Sequence, residues 1–152
     1  SEISHLSMKP LLALGALLLS ASAAIADDLI YLKCNGTVQF KEIDSTEKKI
    51  LKEINKEVTI HYEIDTKKQL LVDSSDPKDP SAIKIWNGMI FEEIKLKEGT
   101  MTGNIHTQIA YDPPGKIAGR STAREDDSNF EYVADLVGSC EASDASAYEA
   151  SK

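Results

Sequence analysis

Val58-Thr59-Ile60-His61-Tyr62-Glu63-Ile64 alternates apolar and polar residues without a break. Side chains on a strand repeat every second residue, so Val58, Ile60, Tyr62 and Ile64 share one face while Thr59, His61 and Glu63 share the other. The segment predicts a strand buried on one side and wet on the other, the pattern of an antiparallel sheet. After it, Asp65-Thr66-Lys67-Lys68 is a polar turn and Gln69 to Val72 returns as a short strand. Before it, Leu29 to Asn35 places Ile30, Leu32 and Cys34 on one face, and Thr37 to Ile43 continues that pattern through Val38 and Phe40. Asn35-Gly36 between them offers a turn or a bulge. Asn35-Gly36-Thr37 has the form of a glycosylation sequon and is read as turn chemistry in a bacterial protein.

The second half repeats the theme. Ser74 to Ser81 is a loop, since Pro77 and Pro80 suit no interior strand. Ala82 to Trp86 and Met89 to Lys97 flank Asn87-Gly88, the strongest short hairpin signal in the chain. Glu98-Gly99 turns into Thr100 to Tyr111, where Ile105, Thr107, Ile109 and Tyr111 share a face. Asp112-Pro113-Pro114-Gly115 turns again, Lys116 to Ala123 is a weaker strand, Glu125 to Asn129 is a turn, and Phe130 to Val137 completes the set.

Two segments break the pattern. Ile50, Leu51 and Ile54 fall at helical spacing and Asp44 with Glu47 resembles a capping pair, so a short helix is expected within 44–57, with a mobile hairpin connection as the alternative. Residues 141–152 are rich in Ser, Ala and Glu with one aromatic, Tyr148, and are expected to form a disordered tail. The fold class that follows is all-β, an antiparallel up-and-down barrel of about eight strands, with a β-sandwich as the alternative.

The front of the chain places it in a compartment. Met8-Lys9-Pro10 precedes an apolar run of roughly 10 residues and a small-residue end at Ala24-Ile25-Ala26, which predicts a signal peptide over 8–26 cleaved after Ala26. That run falls short of the roughly 20 residues a spanning helix needs, so the protein is not expected to be embedded in a membrane. Residues 1–7 precede the start methionine and read as an upstream remnant, leaving 27–140 as the barrel domain. The expected location is the bacterial periplasm or the exterior.

Cys34 lies well beyond the cleavage site and follows Tyr31-Leu32-Lys33, which excludes lipidation. Two cysteines in an exported chain imply one disulfide, Cys34 to Cys140. On the chain-entropy argument, closing a loop of about 100 residues stabilises the fold by roughly 4–5 kcal/mol, less any strain. A bridge between the first and last strands is easiest to understand if those strands are neighbours, as barrel closure would make them.

Charge and motifs narrow the function classes. The chain carries 25 acidic and 17 basic residues, a net charge of -8 that removal of 1–26 leaves unchanged because Glu2 and Lys9 cancel. Nucleic acid and anionic membrane surfaces both reward Lys and Arg and are argued against. Neither His61 nor His106 belongs to a H-x-H or H-E-x-x-H pattern, so both are read as solvent-facing strand residues and no metal or cofactor is expected. No G-x-S-x-G is present and no activity as an enzyme is expected. Glu125-Asp126-Asp127 reads as a solvated turn, since calcium sites want more ligands at defined spacing. Trp86 is the one candidate ligand-binding residue: it is either a core aromatic, the favoured reading, or a ligand-facing one at a barrel mouth.

The layout resembles a set of functionally uncharacterised small exported proteobacterial β-proteins with a terminal-strand cysteine pair. The matching elements here are Tyr31-Leu32-Lys33-Cys34-Asn35-Gly36, Val58 to Ile64, Thr102-Gly103-Asn104-Ile105 and Gly138-Ser139-Cys140. This resemblance implies a fold and a compartment and no activity. The chain is more distantly similar to the periplasmic inhibitors of c-type lysozyme, small eight-stranded barrels with an early Tyr-x-Cys. That family acts through a Ser-x-Ser-Gly-x-x-Tyr loop; Ser74-Ser75-Asp76-Pro77 stands at a comparable point without the glycine and tyrosine. Two functions are therefore expected as alternatives. One is a soluble binding or accessory protein holding a small ligand in the barrel mouth or on the loops; the other is a protein inhibitor of a cationic hydrolase, for which the acidic charge suits a basic protein partner.

Overall fold

The computed structural model describes residues 28–152. The predicted signal peptide at 8–26 and the remnant at 1–7 lie outside the described residues. Eight antiparallel strands follow one another around a closed barrel. They are β1 (Leu29–Asp44), β2 (Lys49–Asp65), β3 (Leu70–Asp73), β4 (Ser81–Trp86), β5 (Met89–Glu98), β6 (Met101–Tyr111), β7 (Pro114–Glu125) and β8 (Phe130–Ala142), followed by the short helix α1 (Ala145–Ala150). Each strand pairs with its sequence neighbours, and β8 returns to β1. The barrel, not the sandwich, is what the sequence pattern produces.

Turn chemistry sets the registers. Trp86 pairs with Met89 across Asn87 and Gly88, which both have positive φ (51° and 74°), as a two-residue hairpin turn demands. The Gly88 carbonyl accepts from the amides of Tyr111 and Asp112 at 2.9 and 3.2 Å, and a Cβ at Gly88 would collide with the Asp112 carbonyl. Only glycine serves both the dihedral and the close approach.

The alternating residues point as expected. Leu32, Ile64, Ile90 and Ile109 are 0–1 % exposed and, with Leu71, Ile83 and Ile117, fill one end of the barrel. Burying each such side chain contributes roughly 1.5–3 kcal/mol. On the seam between β1 and β8, Cys34 lies directly opposite Cys140, and Gly36 directly opposite Gly138. The cysteines are bonded to each other. A Cβ on Gly138 would strike the Asn35 carbonyl, so the paired glycines let the closing strands approach.

The wall is complete at that end only. β2 pairs with β3 over Tyr62–Asp65 alone, and β4 pairs with β5 only as far as Glu92. Beyond that ring, Lys49 to Ile60 of β2 and Glu93 to Glu98 of β5 border no further strand among the described residues. The barrel opens there into a curved wall ordered β2-β1-β8-β7-β6-β5.

Two expectations are corrected. The helix expected within 44–57 is instead the end of β1, a turn and the start of β2, with Phe40 opposite Ile54 and Glu42 opposite Lys52. Ile50 and Ile54 are four apart, a spacing that fits a strand as well as a helix, and pairing along β1 decides between them. Asp44 does cap backbone amides, those of Thr46 and Glu47 at 3.0 and 3.2 Å, but in the hairpin turn.

The tail expected to be disordered at 141–152 is ordered. β8 runs to Ala142, Asp144 caps α1 through a 2.8 Å bond from the Ala147 amide, and Tyr148 is 3 % exposed. Its ring packs 5.7 Å from that of Tyr31 on the outside of the barrel, and Ser151 Oγ donates to Ser74 Oγ at 2.8 Å. A helix this short depends on such packing and not on its own propensity.

Two outcomes follow. Replacing Cys34 with Ser should lower stability by up to about 4–5 kcal/mol under oxidising conditions, read as the melting midpoint, and make no difference once the wild type is reduced. Tyr31 is pushed up to about 12, first by burial and then by the hydrogen bond its hydroxyl donates to Glu63. Its neutral form is favoured in the fold, so the stability it contributes is present below its ordinary pKa of 10.0 and lost as pH rises through about 12. Tyr148→Ala, which uncovers the Tyr31 ring, should move that titration back toward 10.0, measured by tyrosinate absorbance.

Candidate functional site

The unequal strand lengths position every candidate. On β1 the inward residues run Leu32, Cys34, Gly36, Val38 and Phe40 from the closed end to the open one, and on β8 they run Cys140, Gly138, Leu136, Ala134 and Tyr132. The closed end is packed with aliphatic side chains. Glycines occupy the middle. The open end carries the large aromatics Phe40 and Tyr132, both half-buried.

Two concavities result. The first lies on the inner wall of the open end, with a volume of about 340 Å³, lined by Phe40, Met101, Ser121, Ala123, Tyr132 and Ala134. Phe40 and Tyr132 stack there, ring centroids 6.1 Å apart and planes inclined by 23°, a geometry favoured by offset aromatic pairs. Ile54 and Phe130, on neighbouring inward positions, are 44 % and 41 % exposed.

The second is a side cleft of about 310 Å³ at the gap in the wall, between β2–β3 and β5. Tyr62, Leu71, Ile94, Leu96 and Ile105 form its apolar surface, and Asp73, Asp76, Asp79 and Glu92 bring four carboxyl groups to it. Burial, followed by the charges of Asp73 and Glu92, holds the Tyr62 hydroxyl well above the usual tyrosine range. The two ion pairs among the described residues, Arg120–Asp135 and Lys152–Glu149, lie elsewhere, so no lysine or arginine neutralises these carboxylates. Among the described residues no cluster of His, Cys, Asp and Glu has the geometry to hold a metal ion.

A third and larger hollow, about 760 Å³, lies on the outside between β4, β5 and β6. Lys84, Glu93, Lys95, His106 and Gln108 dominate its walls, with Phe91 its one aromatic. Most of these are long, solvated side chains, and Ala82, Ile83 and Thr107 complete the lining.

The residues singled out from sequence fare differently. Cys34 and Cys140 meet in the expected bond. The favoured core reading of Trp86 is corrected by its 70 % exposure, and it lines none of the three hollows described above. Ile83 and Ile85 take the inward positions of β4, so parity turns Trp86 outward at the hairpin. His106 is exposed on the outer face, whereas His61 is half-buried near α1 with Nδ1 lacking a hydrogen-bond partner among the described residues. Glu125, Asp126 and Asp127 sit in an exposed turn.

Phe40, Tyr132 and the cleft carboxylates were not singled out by sequence reasoning. Period-two patterning puts Phe40 inward but cannot say that the barrel is open at its level. A comparison with protein-family profiles, curated proteins and solved structures finds no match to this chain.

Proposed function

We propose that this chain is a soluble exported binding or accessory protein that holds a small ligand on the inner wall of its open end. The observation that carries the reading is the unfilled cavity around the stacked, half-buried Phe40 and Tyr132 on the inner wall of the barrel. Monomeric proteins seldom leave aromatic surface in a concavity unless something covers it.

Solubility is supported by the outward residues of β1, Lys33, Asn35, Thr37, Gln39 and Lys41, whose polarity is the reverse of a lipid-facing strand. No described helix is long and apolar enough to cross a membrane. The Cys34–Cys140 bond supports an oxidising compartment such as the periplasm, in keeping with the signal-peptide pattern of 8–26. No catalytic role is assigned to any side chain.

A second reading, inhibition of a cationic hydrolase such as lysozyme, is favoured by the unneutralised carboxylates beside the Ser74–Pro80 loop and by the net charge of -8.

Native mass spectrometry of the protein taken from periplasm tests the first reading. A retained small-molecule adduct is expected. It should be lost in Ala134→Trp, which fills the cavity, provided circular dichroism shows the barrel intact. Mature protein free of any adduct in repeated preparations would count against it. For the second reading, cell-wall lysis by hen-type lysozyme should slow when the protein is added, and an unchanged rate at high molar excess rejects inhibition.

A further inference from the structure

The inner wall of the open end carries two lysines that its apolar lining does not require. We propose that this wall holds an amphipathic organic anion, an acidic head group on an apolar chain, with the head group at Lys52 and Lys56 of β2. The inference rests on the binding-protein reading and names the chemistry of the ligand for that same cavity.

Strand parity places the lysines. Phe40 of β1 lies opposite Ile54 of β2, and residues two apart on a strand share a face, so Lys52 and Lys56 flank Ile54 on the inner side of the wall. Both stand diagonally across the strand pair from Phe40, a separation of about 7–8 Å that a long side chain can bridge. Lys56 has the apolar Val38 directly across from it, and Lys52 has Glu42. Both lysines are exposed, and neither enters an ion pair; the two pairs among the described residues are Arg120–Asp135 and Lys152–Glu149. The chain as a whole has a net charge of -8, so attraction for an anion has to be local.

The far margin of the wall has the opposite sign. Glu98 of β5 and Glu125 of β7 both lie opposite Met101 of β6, which lines the cavity, and so share its inward face. An anionic group is repelled from that margin and drawn to the β2 side, which sets the direction of the ligand. From β2 through β1 and β8 to β7 the wall crosses three strand spacings of about 4.8 Å, roughly 14 Å in all. An extended chain of about ten carbons matches that span at the ordinary carbon–carbon bond length of about 1.5 Å. The stacked rings of Phe40 and Tyr132 offer it an apolar surface, and the small side chains of Ala134, Ser121 and Ala123 leave it room. A neutral chain would gain from the wall alone, and a cationic one would meet the lysines. Inward lysines on an edge strand also discourage edge-to-edge pairing between molecules, so the test has to separate the two roles.

Calorimetric titration of the full mature chain with decanoate, 1-decanol and decylamine, each kept below its micelle or solubility limit, does so. Decanoate should bind about tenfold more tightly than decanol, and decylammonium no more tightly than decanol. Lys56→Gln should weaken decanoate several-fold, and the double variant with Lys52→Gln should bring decanoate down to the level of decanol, with decanol itself unchanged. Ala134→Trp should abolish binding of both. Decyl phosphate run alongside identifies the head group: binding comparable to decanoate points to anions in general, and binding by decanoate alone points to a carboxylate. Equal affinity for decanoate and decanol, or decylammonium binding as tightly as decanoate, overturns the inference and leaves the binding-protein reading standing. Lysine variants that aggregate yet bind decanoate as the wild type does assign the lysines to edge protection and also overturn it. If none of the probes binds, the inference fails; an adduct retained from periplasm would still support the broader reading.

Discussion

The pairing of β8 with β1 is the contact on which the rest of the molecule depends. Thirteen residues of β1, Leu32 to Asp44, must find thirteen of β8, Phe130 to Ala142, across a long sequence separation, and until they do, both present edges with unpaired amides and carbonyls. The seam is built for close approach, with Gly36 facing Gly138 and Cys34 bonded to Cys140 two residues away on each strand. Because the bridge spans 106 residues, it removes much of the disorder of the unfolded chain and holds the two strands in the register their hydrogen bonds require.

Closing that seam fixes the shape of the opposite side. β1 and β2 are 16 and 17 residues long, but β3 and β4 are only 4 and 6, so a ring of eight strands exists at one level alone. Within the ring, Leu32, Ile64, Ile90 and Ile109 pack solid. Outside it, the same inward alternation continues along the long strands with no opposite wall to complete the packing. Phe40 and Tyr132 are core residues by pattern but only half-buried by position, and the cleft beside Tyr62 is the place where the short strands leave the wall. The candidate sites are therefore consequences of mismatched strand lengths and not of any local motif.

The parts of the fold visible in the sequence were those governed by neighbours in the chain. Strict alternation at Val58 to Ile64, the Asn87-Gly88 turn and the single possible cysteine pairing required no knowledge of distant residues. Three features resisted such reasoning for a common cause. Residues 50–54 satisfy helical and strand spacing alike, and only the register with β1 resolves them. Trp86 looks like core by size, yet its parity beside Ile83 and Ile85 turns it out to 70 % exposure. Tyr148 sits in a segment too polar to fold alone and is buried because Tyr31 offers a surface for it on the far end of the chain.

Composition and periodicity by themselves determined that this is an antiparallel all-β protein and which face of the clearly alternating strands turns inward, because those properties arise from side-chain alternation and local turn geometry; the cysteine pairing followed from there being only two cysteines. The tertiary structure alone decided where the interior is filled and where it is empty. Whether Phe40, Tyr132, Tyr62 and Asp73 meet packing partners or open space depends on how far distant strands extend beside them, and that length is set by pairing across the barrel, which no single stretch of the chain contains.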